Sequence, residues 1–262
     1  MLGDLRSLGP VWSIVRNRHC VLAMQDVYPE LTFSTDQKSA GACNGDRSLM
    51  YYLPAWKQAV AFDCNCPCGR TYGLEFENTD GEVFHRICLA KGTDLRSFAE
   101  WIQMHQATGL EEGEIDGEWD IEELSPYLPP FKASFPPGTL QFSPELLRTV
   151  MITTAQREIP LIASVANEGI SQTMRLEVHR ASEAHGWLAL SGKDRSLYVE
   201  SMPQGALHLE PGNIEGEPLW RLSLTDPRGH RLMRLQSGVD GREEWNQLIR
   251  EIVLCSPGME EK

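Results

Sequence analysis

Three cysteines at every second position form a dense set of reactive side chains. The stretch "DCNCPCGR" carries Cys64, Cys66 and Cys68. If this stretch is an extended strand, alternate side chains share one face and the three thiols project together. Thiolates bind Cu(I) and zinc, and Cys88 on a later strand could add a fourth ligand. Structural zinc sites, however, usually separate their cysteines by about two to four residues.

Three interpretations of the cysteine stretch stay open. It is a loop with reactive thiols, a soft-metal site, or the source of an axial haem thiolate, since a Cys-Pro pair is similar to short haem-sensing motifs. The internal repeat described below aligns it with "PGNIEGEP" at 211–218, which has no cysteine. We therefore expect the stretch to connect two strands and to be an addition to one half only.

The seven histidines are scattered along the sequence. None belongs to the His-Glu-x-x-His pattern that holds zinc on one helix face. The sequence also lacks the motifs of serine hydrolases, phosphate loops and dinucleotide-binding folds. His85 and His208 are the candidate ligands, because both fall on strands that could face a cleft. The alternative is that each is a half-buried polar residue of its sheet.

Aromatic and basic side chains cluster on one segment of the first half. A flat tetrapyrrole needs apolar walls for its ring and cationic or hydroxyl groups for its propionates. This segment offers both. Together with the family resemblance described below, this makes Arg47, Tyr52, Trp56 and Lys57 the candidate haem-binding residues. The alternative is that these aromatics form the core and rim of an ordinary sheet.

Composition and charge exclude several classes of partner. The chain has 262 residues and a formal net charge of −13, so it would repel a nucleic-acid backbone or an anionic membrane surface. No stretch is apolar for the roughly 18 residues of a membrane span, and the N-terminus lacks an export signal. We expect a cytoplasmic protein whose seven cysteines are reduced thiols rather than a disulfide framework.

The two halves of the chain resemble each other. Matching residues recur in the same order, about 147 to 150 positions apart, and the tetrapeptide "DRSL" occurs at 46–49 and 194–197. The matched pairs include Val15 and Val165, Asn17 and Asn167, Met24 and Met174, Leu74 and Leu222, Phe76 and Leu224, Gly81 and Gly229, and Phe98 and Trp245. This pattern predicts a duplicated unit, with residues 1–109 as the first unit and 143–262 as the second.

Each unit is predicted to contain strands followed by a helix. "YGLEFEN" and "WRLSLTD" alternate apolar and polar residues, and "DG" and "RG" then predict tight turns into a second strand. Helical spacing predicts helices over 94–107, capped by Thr93, and over 242–254. A further helix should follow Ser143 and Pro144. We therefore expect an α+β fold built by tandem duplication of a large antiparallel sheet unit with flanking helices.

A linker is predicted between the units at 110–142. Its first half is acidic, and its second half is rich in proline, which favours an extended strap on the surface. The expected apolar anchors of the strap are Tyr127, Leu128, Phe131 and Phe135. The acidic half could instead recruit a protein partner.

The segments "LGPVWSIVRNRHCVLAMQDVY" and "LEFENTDGEVFHRICLAKGTDLRSFAEWI" resemble the first half of the hemin-degrading HemS/ChuS family. "REIPLIASVANEGISQT" and "LWRLSLTDPRGHRLMRLQSG" resemble its second half. The resemblance implies two large antiparallel sheets stacked in tandem and haem bound in a cleft between the halves. It also implies a proximal histidine from the segment before the second half, and an arginine from the strand before the tryptophan matched by Trp56.

The sequence departs from the family at both ligand positions. The window where the histidine is expected reads "LEEGEIDGEWDIEEL" and contains none. The arginine position falls on Met50, and Arg47 could replace it only if the strand register shifts. The usual proximal ligation is therefore missing, and no residue can be assigned to turnover.

Three hypotheses follow for function. The first is a divergent haem-binding or tetrapyrrole-binding protein of the hemin utilisation and degradation type. The second is a non-enzymatic scaffold that has lost haem and presents its sheets or its acidic linker to a protein partner. The third is a soft-metal or redox role for the cluster Cys64, Cys66 and Cys68.

Overall fold

The computed structural model describes residues 2–36, 38–44, 47–66, 69–105 and 133–254; at 44, 64–66, 69–70 and 253–254 it describes only the backbone. The strands are β1 Pro10–Arg16, β2 Cys20–Val27, β3 Thr32–Phe33, β4 Ser39–Asn44, β5 Arg47–Tyr52, β6 Trp56–Cys66, β7 Gly69–Asn78, β8 Val83–Leu89, β9 Leu140–Phe142, β10 Leu161–Ala166, β11 Ile170–Leu176, β12 Arg180–Ala184, β13 Trp187–Ser191, β14 Arg195–Glu200, β15 Ala206–Ile214, β16 Glu217–Thr225 and β17 Arg231–Ser237. The helices are α1 Leu95–His105, α2 Leu146–Gln156 and α3 Arg242–Ile249, with short 3₁₀ segments at Leu2–Leu8 and Leu53–Ala55 and a π turn at Arg250–Leu254.

The strands form two antiparallel sheets. Within the described residues, sheet A has the order β12-β13-β14-β2-β1-β8-β7-β6 and sheet B the order β3-β4-β5-β11-β10-β17-β16-β15-β9. The alternation of residues along β1 and β10 buries one face of each strand and leaves the other partly exposed. We call the buried side of each sheet its inner face and the other side its outer face.

Each sheet takes strands from both halves of the chain. The meander β3–β5 of the first half joins sheet B, where β5 pairs with β11. The meander β12–β14 of the second half joins sheet A, where β14 pairs with β2. The two sheets fit the predicted tandem duplication, and the exchange of meanders ties the two halves to each other.

The inner faces of the sheets meet in a common core. Matched positions of the repeat are equally buried, since Val15 and Val165 are both 0% exposed. A polar contact crosses this core, because Ser13 Oγ on β1 donates to Gln172 Oε1 on β11 at 2.7 Å. The helix α3 closes one side with Trp245, which is completely buried. The predicted α+β fold with two large antiparallel sheets is confirmed.

The two predicted tight turns are present and equivalent. Gly81 lies between β7 and β8 with φ 84°, and Gly229 lies between β16 and β17 with φ 83°. These values fall in the left-handed region that glycine adopts without a steric penalty. The matched glycines of the repeat therefore have the same structural role in each hairpin.

The helix starts differ from the predictions. Thr93 does not cap α1, because its hydroxyl donates to the carbonyl of Pro10 at 2.8 Å. Asp94 caps α1 instead, since its carboxylate accepts from the amides of Arg96 and Ser97. No helix among the described residues is long and apolar enough to cross a membrane.

Candidate functional site

A cleft of about 700 Å³ opens at the edge of sheet B that β3, β4 and β5 form. The segment that follows β2 runs past this edge as the chain crosses from sheet A to sheet B. The cleft is lined by Arg6, Asp26, Val27, Tyr28, Pro29, Glu30, Thr32, Ser39, Ala40, Gly41, Ala42, Cys43, Arg47 and Met50. Its volume lies within the roughly 300–1,000 Å³ of ligand pockets in proteins.

Each of the two arginines of the cleft faces a carboxylate. Arg47 Nη1 donates to Asp26 Oδ2 at 2.6 Å and to the carbonyl of Val27 at 3.2 Å. Its side chain is only 11% exposed, so this pair holds it in place. Arg6 lies 3.5 Å from Glu30, and both side chains are largely exposed. The two positive and two negative charges balance, and the Arg47 pair is the better fixed.

Two sulfur-containing side chains also line the cleft. Met50 pairs with Gly41 across β4 and β5 and is 52% exposed. Its thioether runs over Gly41, where an added Cβ would lie 2.5 Å from Met50 Sδ. Cys43, two residues further along β4, is a free and exposed thiol. Residues two apart on a strand share a face, so the outer face of the meander presents both sulfur atoms towards the cleft.

His85 lies in the core of the protein, not on the cleft. It is completely buried, with Nε2 3.1 Å from Tyr28 Oη and Nδ1 3.0 Å from the carbonyl of Ile14. The Tyr28 hydroxyl also bonds to that of Tyr51. Burial lowers the pKa of His85 to about 4, although the hydrogen bond to Ile14 opposes this shift, so its ring is neutral at pH 7. Both ring nitrogens are engaged inside the protein.

The aromatic segment divides between core and surface. Trp56 donates its Nε1 hydrogen to the carbonyl of Gly169 at 3.0 Å and packs against Tyr51 at 5.2 Å between ring centres. Tyr52, on the outer face of β5, is 43% exposed. Lys57 is exposed beside an irregularity in the pairing of β6 with β7. Only Arg47 of the predicted haem-binding residues lines the cleft.

His208 lies on β15, five strands from β5 in sheet B. At about 4.8 Å between strands, this places it roughly 24 Å from the meander. Its Nε2 is 3.0 Å from Thr225 Oγ1, and its ring stacks on Phe135 at 4.1 Å. Burial lowers the pKa of His208.

Phe135 contacts the sheet through this ring, as predicted for an anchor of the strap. The acidic half of the linker and the other three predicted anchors lie outside the described residues.

The cysteine stretch lies at the end of the β6–β7 hairpin. The pairs Cys64 with Thr71 and Cys66 with Gly69 continue the ladder to its last described residues. Pro67 and Cys68 lie outside the described residues, as do the side chains of Cys64 and Cys66. The equivalent hairpin of β15 and β16 closes between Ile214 and Glu217. The stretch therefore connects two strands as predicted, and its metal role stays a prediction.

The fold matches two solved haem proteins along almost the whole chain. Holo-PhuS, a heme-binding protein from Pseudomonas aeruginosa, superposes with a TM-score of 0.77 and 16% identity, over 96% of this chain and 83% of that one. ChuS, a heme oxygenase from E. coli, superposes with a TM-score of 0.74 and 14% identity, over 96% and 85% of the two chains. The chain has the fold of PhuS and ChuS. The resemblance to HemS/ChuS proteins predicted from the sequence is thereby confirmed for the fold.

No protein-family model matches the chain, and no curated protein matches it. At 14–16% identity, the likeness to PhuS and ChuS shows the fold alone.

Most residues of the cleft were not predicted from the sequence. Arg6 lies in the 3₁₀ segment Leu2–Leu8, and Asp26 lies near the end of β2. They come together with Arg47 because β3–β5 cross to the other sheet. Residue spacing within one half carries no signal of that crossing. The signal that the sequence did carry was the arginine position implied by the family resemblance. This position falls on Met50, with Arg47 as the possible replacement, and both residues line the cleft.

Proposed function

We propose that this protein binds haem or a related tetrapyrrole in the cleft beside Arg47. The observation that carries the proposal is the position of the cleft. It opens on the strand from which the HemS/ChuS resemblance implies a haem-facing arginine, and both Arg47 and Met50 line it. The shared fold with a heme-binding protein and a heme oxygenase supports the same ligand class.

The residues of the cleft fit the two halves of a tetrapyrrole. Apolar side chains of Val27, Pro29 and Met50 offer a wall for the ring. The guanidinium groups of Arg6 and Arg47 suit the propionates, since arginine pairs well with carboxylates. Asp26 and Glu30 compete for those guanidinium groups. They therefore weaken the electrostatic complementarity of the cleft for a dianionic ligand.

Sulfur ligands replace the missing histidine in this proposal. The exposed thioether of Met50 and the thiol of Cys43 are ligand types that hold haem iron in other proteins. Tyr28 also lines the cleft, but its hydroxyl is buried and bonded to Tyr51 and His85. When bound, a haem iron would supply redox chemistry, whereas the groups of this chain hold and orient the ring.

A hemin titration tests the proposal. We expect a shifted Soret band and saturable binding for the unmodified protein. The variant Met50→Glu, which places a carboxylate on the apolar wall, should bind at least about tenfold more weakly. Met202→Glu is the matched control, because Met202 is exposed near the opposite end of β2. No Soret shift in the unmodified protein would reject the proposal and favour a scaffold that has lost haem.

A further inference from the structure

Three arginines and one glutamate meet on the outer face of sheet B. Glu210 on β15 is paired in register with Arg221 on β16, and Ser223 on β16 with Arg234 on β17. Arg231, at the start of β17, reaches the same carboxylate. Because β15, β16 and β17 are neighbours, all five side chains lie within one small area of the face.

The arginines hold Glu210 only loosely. Arg231 Nη2 is 3.4 Å from both carboxylate oxygens, and Arg234 Nη2 is 3.3 Å from Oε2. Charge-assisted hydrogen bonds of this kind are normally about 2.7–2.9 Å long. The close partner of Glu210 is instead the hydroxyl of Ser223, which donates to it. Most guanidinium hydrogens are therefore not engaged by the carboxylate.

Two of these donors are buried without a partner. Arg221 Nε and Arg231 Nε find no hydrogen-bond acceptor among the residues that the structure describes. Buried donors normally have an acceptor, so an orphan here calls for an explanation. The strap shapes this side of the cluster, since the ring of Phe135 lies 5.5 Å from the Arg231 guanidinium and the carbonyl of Ser134 accepts from Arg231 at 3.4 Å.

The cluster carries an excess of positive charge. The guanidinium groups of Arg231 and Arg234 contact the Glu210 carboxylate, and that of Arg221 donates to the carbonyl of Asn213 at 3.2 Å. Among the described residues, these three arginines and one glutamate leave two positive charges. Burial is the main cause that lowers the pKa of Arg234; Arg231 and Arg221 lower it further, and Glu210 opposes them. The neighbouring His208, whose pKa is also lowered, adds no charge near pH 7. A bound anion would relieve this uncompensated charge.

We propose that Arg231 and Arg234, with Arg221 and Ser223 beside them, bind an oxyanion, best matched by a phosphate group. Phosphate carries about 1.5 to 2 negative charges near pH 7 and three acceptor oxygens, which suits two guanidinium groups that Glu210 holds only loosely and a surplus of two charges. The site is distinct from the cleft, because β17 is three strands from β5, roughly 14 Å at 4.8 Å per strand.

Calorimetric titration of the full-length protein with inorganic phosphate, in a buffer low in chloride, tests this site. Acetate in a parallel titration separates a phosphate site from a carboxylate site. Arg234→Gln removes one guanidinium and should weaken phosphate binding about tenfold. Arg148→Gln is the matched control, because it makes the same charge change at a residue of α2 that is 53% exposed and pairs with Glu183.

Glu210→Gln gives an effect of opposite sign. It keeps an acceptor for Ser223 but removes the competing carboxylate charge, so phosphate should bind several-fold more tightly. Weaker binding in Arg234→Gln together with tighter binding in Glu210→Gln supports the oxyanion site. The titration in which this pattern is seen shows whether the site takes phosphate or acetate. Equal affinity of both variants and the unmodified protein, or no binding of either anion, overturns the proposal. Hemin binding is not involved in this readout, so failure here leaves the function proposed for the cleft unaffected.

Discussion

Asn17 and Asn167 make equivalent hydrogen bonds between the two sheets. The side chain of Asn17 donates from sheet A to sheet B, and that of Asn167 donates from sheet B to sheet A. Asn17, in the turn after β1, donates to the carbonyls of Ala166 and Leu232 in sheet B at 2.9 and 2.8 Å. Asn167, in the turn after β10, donates to the carbonyls of Arg16 and Phe84 in sheet A, both at 2.8 Å. Each side-chain oxygen accepts from two amides of its own turn.

Replacing either asparagine with alanine should destabilise the protein strongly. Both residues are 3% exposed, so Asn17→Ala or Asn167→Ala leaves two carbonyls and two amides buried without these partners. We expect a loss of about 3 kcal/mol or more in the free energy of unfolding, measured by urea denaturation. Asn213→Ala, at an exposed position, should change it by less than about 0.5 kcal/mol. Equal effects at all three positions would contradict a role for the paired asparagines.

His85 predicts a specific pH dependence of stability. Its pKa is lowered from 6.5 to about 4 in the folded protein. Between these values the unfolded chain binds a proton that the folded protein does not, so stability falls as the pH drops from about 6.5 to 4. The contribution of this one group is about 3 kcal/mol.

Urea denaturation at several pH values measures this effect. His85→Phe removes the titrating group and should flatten the loss of stability in that window, although the variant is less stable at pH 7 because Tyr28 and Ile14 lose a partner. His179→Gln, at an exposed position, should keep the full pH dependence. An unchanged slope in His85→Phe would show that other groups dominate.

The sequence pattern predicted the parts of the fold that depend on local periodicity. Alternation in "YGLEFEN" and the "DG" turn gave β7 and β8, and the repeat matched Gly81 with Gly229 and Asn17 with Asn167. The exchange of the meanders was not predictable, because strand alternation sets which face is buried but not which sheet a strand joins. The cleft was hidden for the same reason, since Arg6, Asp26 and Arg47 meet only after that exchange.

His85 and His208 show why the ligand residues of a site could not be predicted from the sequence. Both were correctly placed on strands, yet His85 points into the core and His208 lies under Phe135. A lone histidine carries no signal in sequence that separates a buried polar residue from a ligand.

The exchange of meanders predicts that the halves fold together. A fragment of residues 1–109 would contain β3–β5 without their partner β11, and its sheet would lack β14 beside β2. We expect residues 1–109 and 110–262, produced separately, to lack the dispersed amide spectra of a folded protein. Mixing or co-expression should restore them. Two fragments that each fold alone would contradict this account.

Phe135 should control the titration of His208. The two rings stack at 4.1 Å, and burial is the main cause of the lowered pKa of His208. Phe135→Ala exposes the imidazole, so its pKa should rise towards the ordinary 6.5. NMR of the His208 ring protons against pH, in the unmodified protein and in Phe135→Ala, measures this. An unchanged pKa of His208 would mean that the strap does not shield it.

The hemin affinity of two variants in the Arg47–Asp26 pair tests the proposed function most directly. Arg47→Leu removes the best-fixed cation of the cleft, and Asp26→Asn removes its competitor, which lies 2.6 Å away. We expect the dissociation constant for hemin to rise about tenfold in Arg47→Leu and to fall in Asp26→Asn. Two variants that bind hemin as the unmodified protein does, or that shift its affinity in the same direction, would contradict tetrapyrrole binding at this cleft.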